Sequence, residues 1–372
     1  MTDRAVDMER AGRDIIHLGV GDPDFDTPQS IIDTAAEGMR KQRTHYAPVP
    51  GETDLRQEIA KLYSRRTGHD FDFGQVVIFP GAQAALFATM LCLSGPGDEV
   101  LLLEPFYATY EGVACGGGAE FITVPLSADS GYDLDIDRIA RAVSDRTRVI
   151  LANSPGNPTG TVFSRDGWVE LADLCRNKNI WLISDEVYSD LTFEGEHFSP
   201  LGIAEARQNV VVVSSVSKSH AMTGWRLGWA IGPRALARHL DTLSQSMVFG
   251  VSQFTQDAIT HALREPPSEL EKIKATTRAR RDALCEALEQ VDGLVVHKPA
   301  GGMFVMVDVS ALGCDGDEFA NRLLDHSGVA VVPGSAFGDS AKNLVRIGYL
   351  TDISALNKAA DKIKDFVGSL RT

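Results

Sequence analysis

Four short polar clusters each follow an apolar, β-branched run, and each holds a residue type that can do chemistry. The first is Ser214-Ser215-Val216-Ser217-Lys218-Ser219-His220, with Gly224-Trp225-Arg226 close behind. Lysine is seldom buried without a task, so an amine flanked by hydroxyls at the end of such a run is a candidate nucleophile, although a surface lysine in a polar loop would read alike. The second, Asp185-Glu186-Val187-Tyr188, offers a carboxylate and a phenol; the carboxylate could equally cap a helix through its first amides. The third, Asn153-Ser154-Pro155-Gly156-Asn157-Pro158-Thr159-Gly160, carries the carboxamide of Asn157 in material that also builds plain turns. The fourth, Pro80-Gly81-Ala82-Gln83, sets small residues at a helix start, where free amides can receive a phosphate.

The elements that must position these clusters are short apolar runs alternating with longer helical stretches, the pattern of a mostly parallel α/β sheet covered on both faces. Strands are expected at 76–79, 100–103, 149–152, 180–183, 210–213 and 227–231, with helices over Ala82 to Leu93 and Asp166 to Asn177. In such a sheet ligands bind beyond the carboxyl ends of the strands, so the clusters should face one site. A charged helix over Glu269 to Gln290, opened by Pro266 and Pro267, marks a change of composition and leads to a strand near Met303 to Val307 and a final helix. Two lobes are therefore expected: a large one over 41–283, and a small one made of 1–40 and 284–372.

Composition narrows the ligand. The 372 residues carry 36 basic and 51 acidic side chains, a formal net charge of −15, which argues against nucleic acid and favours small molecules. Val76 to Leu93 is the most apolar window, but Pro80, Gly81 and Gln83 break it into strand, turn and buried helix rather than a membrane span. Met1 to Arg13 is charged throughout and lacks the apolar stretch of a signal peptide. Five scattered cysteines fit neither a disulfide framework nor a metal site, so a cytoplasmic location and no metal are expected.

A lysine amine, a carboxylate, a phenol with a carboxamide, and a phosphate cradle together make the kit for a pyridoxal 5'-phosphate site. The string Ser215-Val216-Ser217-Lys218-Ser219-His220-Ala221-Met222-Thr223-Gly224-Trp225-Arg226-Leu227-Gly228 resembles the lysine signature of class I/II aminotransferases, the fold-type I pyridoxal phosphate enzymes. The resemblance runs from Gly19-Val20-Gly21-Asp22-Pro23-Asp24-Phe25 to Arg346-Ile347-Gly348-Tyr349. Within the family, strings such as Gly195-Glu196-His197-Phe198-Ser199-Pro200 and Gly301-Gly302-Met303-Phe304 look most like arginine:pyruvate aminotransferases.

The resemblance implies a role for each residue. Lys218 matches the Schiff-base lysine, which is also the general base and acid. Asp185 matches the partner of the pyridine nitrogen, and Asn157 and Tyr188 match the pair on the ring oxygen. Ala82, Gln83, Ser215, Ser217 and Arg226 match the phosphate binders, and Tyr107 matches the aromatic stacked on the ring, although a core aromatic would fit as well. Arg346 matches the arginine for the substrate α-carboxylate, and Gly21 lies in the segment that closes over the substrate; an arginine on an apolar strand could also be a structural ion-pair member. Tyr46 resembles the tyrosine that reaches the phosphate of the neighbouring subunit, which implies a homodimer with shared sites.

The chain departs from the family at Ser154, where asparagine is frequent, and Pro155 and Pro158 stand where the family uses cis bonds. No motif supplies an arginine for a dicarboxylic side chain. The activity implied is ping-pong transfer of an amino group from an L-amino acid to a 2-oxo acid, with pyruvate or 2-oxoglutarate as acceptor. Two alternatives stay open: a pyridoxal-phosphate carbon–sulfur β-lyase on the same fold, and a non-catalytic ligand-sensing domain. The second is disfavoured because only about twenty residues precede Gly21, fewer than a winged-helix DNA-binding module needs.

Overall fold

The computed structural model describes residues 1–370. Its strands, in chain order, are β1 (Ile16–His17), β2 (Val76–Phe79), β3 (Glu99–Glu104), β4 (Glu120–Pro125), β5 (Thr147–Asn153), β6 (Trp181–Asp185), β7 (Val210–Ser215), β8 (Gly228–Ile231), β9 (Val295–His297), β10 (Phe304–Asp308), β11 (Val329–Ala330), β12 (Val332–Pro333) and β13 (Leu344–Gly348). Seven form one large sheet in the order β2-β8-β7-β6-β5-β3-β4. Neighbours from β7 to β4 run parallel, and β8 is antiparallel to both β2 and β7. A four-stranded antiparallel sheet, β12-β13-β10-β9, belongs to the second lobe.

The central strands read as unbroken apolar runs because both faces of the sheet are covered. Along β7, Val210 and Val212 enter one core with Trp168, Leu171 and Tyr63, while Val211 and Val213 enter the opposite core with Leu86, Met90 and Tyr110. A third core joins Phe304, Val305, Val345 and Ile347 to Leu284, Leu288, Ile363 and Phe366. The expected strands all form, with ends shifted by one or two residues, and the helices Ala82–Leu93, Arg165–Lys178 and Glu269–Glu289 form where expected. Strand β4 was not foreseen: it lies at the sheet edge, three of its six residues are exposed and only Val124 is buried, and Thr123 interrupts its short apolar stretch.

Register then fixes the site. In the parallel ladder Asn153 is the partner of Asp185, and Asp185 is the partner of Val213. The polar clusters that end β5, β6 and β7 are thereby set side by side, at the edge where the helix Ala82–Leu93 begins.

Candidate active site

A cavity of about 280 Å³ opens at these strand ends. Its wall includes Gly21, Ala82, Gln83, Tyr107, Asn157, Asp185, Tyr188, Ser215, Ser217, Lys218, Arg226 and Arg346, twelve of the thirteen positions singled out in the sequence. Tyr46 is the exception: it is 82% exposed and packs edge-on against Phe249 at 4.9 Å, away from the cavity.

Asp185 is buried at the floor. Tyr110 donates its hydroxyl to Oδ2 at 2.7 Å, and the Val187 amide donates to Oδ1 at 3.1 Å. Burial nevertheless pushes the carboxyl up to about 6, against the pull of both hydrogen bonds. A carboxylate this costly to keep charged, with no cationic side chain in ion-pair contact among the described residues, is a place for a cation that the protein itself does not supply. Asn153 braces the floor, donating from Nδ2 to the Asp185 carbonyl at 2.9 Å and accepting the Asn157 amide on Oδ1 at 2.7 Å. The Tyr188 phenol is buried, and burial raises its pKa against the opposing charge of Arg346.

Ala82, Gln83, Ser215, Ser217 and Arg226 line another part of the wall. Gly81 precedes the helix Ala82–Leu93 at φ 91°, leaving the first helical amides directed at the cavity. A Cβ on Gly81 would come within 2.3 Å of Arg226 Nη2, and one on Gly228 within 2.5 Å of the Ala82 amide nitrogen. Arg226, itself at φ 51°, donates from Nη1 to the Thr223 carbonyl at 2.7 Å and meets no carboxylate among the described residues. The Ser217 amide donates to Ser215 Oγ at 3.2 Å, which holds the Ser215 hydroxyl at the end of β7.

Lys218 and Arg346 both reach the N-terminal segment. Lys218 Nζ donates to the Gly21 carbonyl at 2.5 Å. Burial lowers its proton affinity, as do Arg226 and Arg346, while Asp22 opposes them. Arg346 donates to Asn157 Oδ1 at 2.9 Å and to the Gly19 carbonyl at 2.8 Å. Its guanidinium lies between Phe304, 3.8 Å from the ring centre, and Phe337 at 4.7 Å. Burial lowers it to about 10, and it has no carboxylate partner among the described residues. It is therefore not a structural ion-pair member. Gly21 fits closely too: a Cβ there would stand 2.8 Å from Phe304 Cζ.

A model of aminotransferase class I and II matches residues 13–363. The chain belongs to this family. It is 44% identical to the arginine–pyruvate transaminase AruH of Pseudomonas aeruginosa over 97% of this chain and 92% of that protein. It is 32% identical to an aspartate aminotransferase of Bacillus sp. (strain YM-2) over 99% of this chain and 95% of that protein. Among solved structures, aspartate aminotransferase from Thermus thermophilus with maleate superposes with a TM-score of 0.94 at 33% identity, covering 98% of this chain and 95% of that one. The aromatic aminotransferase from Pyrococcus horikoshii OT3 also gives 0.94, at 30% identity over 99% of both chains. The chain is thus a fold-type I, pyridoxal-phosphate-dependent aminotransferase, acting on amino acids and 2-oxo acids. These relatives lend no support to the lyase or the sensing domain.

The cavity fits that cofactor on its own evidence. At Gly81 and Gly228 a Cβ would strike Arg226 and the Ala82 amide nitrogen, so only glycine leaves the helix start and the guanidinium side by side; Arg226 meets no carboxylate among the described residues, and Asp185 lacks a cation. Sequence reading missed Tyr110, Asn153, Thr223 and Phe304 as parts of the wall. Tyr110 follows Tyr107 by three residues, and nothing in that spacing marks its hydroxyl as the partner of a carboxylate on another strand. Pro155 and Pro158 follow cis bonds, as does Pro105, which the sequence had not suggested.

Proposed function

We propose that this aminotransferase takes its amino group from arginine and delivers it to pyruvate, and that the cavity residues divide the work as follows. The observation that carries the substrate reading is Arg346, a buried, carboxylate-free arginine and the only one in the cavity wall besides Arg226. One fork of donors binds one carboxylate, which suits a donor and an acceptor with a single carboxylate each. The 44% identical relative, an arginine–pyruvate transaminase, supports arginine and pyruvate.

When bound, pyridoxal phosphate supplies an aldehyde that condenses with amines and a ring that takes up the electron pair left at Cα. Ala82, Gln83, Ser215, Ser217 and Arg226 hold its phosphate through amides, hydroxyls and a charged fork. Asp185 would keep the proton on the ring nitrogen, Asn157 and Tyr188 would bond the ring oxygen, and Tyr107 would pack against the ring. Arg346 fixes the substrate carboxylate, which turns the Cα–H bond toward the ring face. Lys218 Nζ would be the amine that anchors the cofactor and, once free, the base that accepts the Cα proton. Its lowered proton affinity suits an amine that must be free to attack. Gly21 lets the N-terminal segment lie close above.

The same reading places Tyr46 and Phe249, both largely exposed, in the interface of a homodimer, with Tyr46 reaching the neighbouring phosphate. The lobes are 41–283 and 1–40 with 284–372, supported by the separate core around Phe304 and Ile347, although Ile31 and Ala35 join the core of the large sheet. A cytoplasmic setting is supported by five free cysteines. The test is a half-reaction. Arginine added to the holoenzyme without any oxo acid should bleach the visible cofactor band and release a 2-oxo acid, and pyruvate should then restore the band and yield alanine. A response to aspartate but not to arginine refutes the substrate reading.

A further inference from the structure

A second cavity, of about 290 Å³ against about 280 Å³ for the catalytic one, adjoins the turn that carries Lys218. Ser217 and Lys218 line the catalytic cavity, and the next two residues, Ser219 and His220, line the second. Backbone bonds from the His220 amide to the Val216 carbonyl and from the Met222 amide to the Ser217 carbonyl, both at 3.1 Å, hold this turn. The other walls come from the helix Thr53–Thr67, from the residues just after β6, from the end of the helix Gln253–Arg264 and from the first turns of the helix Glu269–Glu289. The two cavities share no lining residue, so the transfer chemistry uses none of this wall.

The charges in this wall do not cancel. Arg66 is satisfied within the protein, since it pairs with Asp190 and donates from Nη1 to Ser189 Oγ at 3.2 Å. Arg65 and Lys274 also line the cavity, and neither meets a carboxylate among the described residues; the remaining acidic group in the wall is Glu271. Two open cations thus face one open carboxylate. Between them the wall is apolar, with Leu62, Leu191, Leu263 and Leu270. His220 is only 6% exposed; its Nδ1 lies 2.7 Å from Ser219 Oγ, and its Nε2 meets no partner among the described residues. Burial lowers its proton affinity and holds the ring neutral. A nitrogen so enclosed is satisfied by whatever polar atom enters the cavity.

We propose that this cavity is a second ligand site, which takes a small organic carboxylate with an apolar body and no amine. Arg65 and Lys274 supply the charge that draws the carboxylate in. His220 Nε2 donates to it, with Ser219 donating in turn to Nδ1, and the apolar body lies along the leucines. An ammonium group would meet two open cations against one carboxylate, so amino acids are disfavoured. Apolar 2-oxo acids are the members of this class that amino-group transfer makes and consumes. A molecule held here touches the turn of Lys218 and the start of the helix Glu269–Glu289 while leaving Arg346 free.

The test is calorimetric titration of the holoenzyme with 4-methylpentanoate, which has neither an amine nor an oxo group and is therefore no substrate. Arg346 also binds carboxylates, so wild type should show two sites per chain and Arg346→Ala one. The double variant Arg65→Gln/Lys274→Gln should lose the other site, with affinity there falling by about tenfold or more, while its kcat without the probe and its melting temperature stay at the wild-type values. In Arg346→Ala, acetate and 4-methylpentylamine should each bind at least about tenfold more weakly than 4-methylpentanoate, because one lacks the apolar body and the other the negative charge. Loss of all binding in Arg346→Ala would place the probe in the catalytic cavity alone and overturn the proposal. Unchanged binding in the double variant, or an amine or acetate bound as tightly as the acid, would overturn it too. Since the probe does not turn over, the outcome is independent of which amino acid the catalytic cavity takes.

Discussion

Replacing Asp185 by Asn should stabilise the cofactor-free protein while crippling the loaded one. In the empty cavity the carboxyl is pushed from 3.8 to about 6, chiefly by burial. A group whose folded value is raised contributes stability that is fully present below the unfolded value and is lost as pH rises through the folded one. Wild-type apoprotein should therefore lose stability between about pH 4 and pH 6, by about 3 kcal/mol for the roughly two-unit shift. Asparagine does not ionise and escapes this loss. Tyr110 and Val187 donate to different oxygens of the carboxylate, so the single asparagine oxygen keeps one of these bonds while its NH2 group takes the other position and brings two donors that need partners, an offset of about 1–2 kcal/mol. The net gain at pH 8 is on the order of 1–2 kcal/mol, and at pH 4 the variant should be no more stable than wild type. Urea unfolding of both apoproteins at pH 4, 6 and 8 reads this directly. A variant that is less stable at pH 8, or whose stability follows the wild-type pH curve, would show that Asp185 does not carry the burial cost argued for it.

The other predictions concern the loaded enzyme. Lys218→Ala should lose the Schiff-base absorbance and nearly all turnover; a variant with wild-type kcat would remove the lysine from its role. Arg346→Ala should keep the cofactor but raise KM and lower kcat for the amino donor, together costing about 2–3 kcal/mol in kcat/KM, the worth of charge-assisted hydrogen bonds. Cofactor loss as severe as that of Lys218→Ala would contradict this assignment. Gly228→Ala should push the strand from the helix start, since its Cβ would meet the Ala82 amide nitrogen and the Ser214 carbonyl at 2.5 and 2.8 Å. Cofactor affinity should fall at least tenfold in a titration of the apoprotein, whereas an unchanged affinity would mean that this part of the wall can yield without cost.

How much of this was legible in the sequence depended on whether a contact is local or made by register. Strands β3, β5, β6 and β7 were visible because two covered faces demand unbroken apolar runs, and β4 was hidden because only one of its six side chains is buried, whereas β2 at the other edge is buried throughout. Lys218, Asp185 and Asn157 were visible as polar residues ending such runs. Tyr110 and Asn153 were not, because their partners on Asp185 are chosen by how β5 and β6 align and by where the chain after β3 turns back. Tyr46 stands apart for another reason: the role its motif implies needs a second chain, and within one chain it meets only Phe249.

The carbonyls of Gly19 and Gly21 give the site a logic of two keys. Two residues apart, they accept hydrogen bonds from Arg346 and Lys218, the two cations of the cavity that an amino acid would address. A molecule with only a carboxylate can relieve one of these contacts and leave the strap held by the other. An amino acid brings both groups on a single Cα: its carboxylate can take the Arg346 donors from the Gly19 carbonyl, and its amine can donate to the Gly21 carbonyl in place of a lysine engaged by the cofactor. A preference for α-amino acids over simple acids or simple amines is in this way built into the backbone of the three residues Gly19 to Gly21, independently of any side chain the substrate carries.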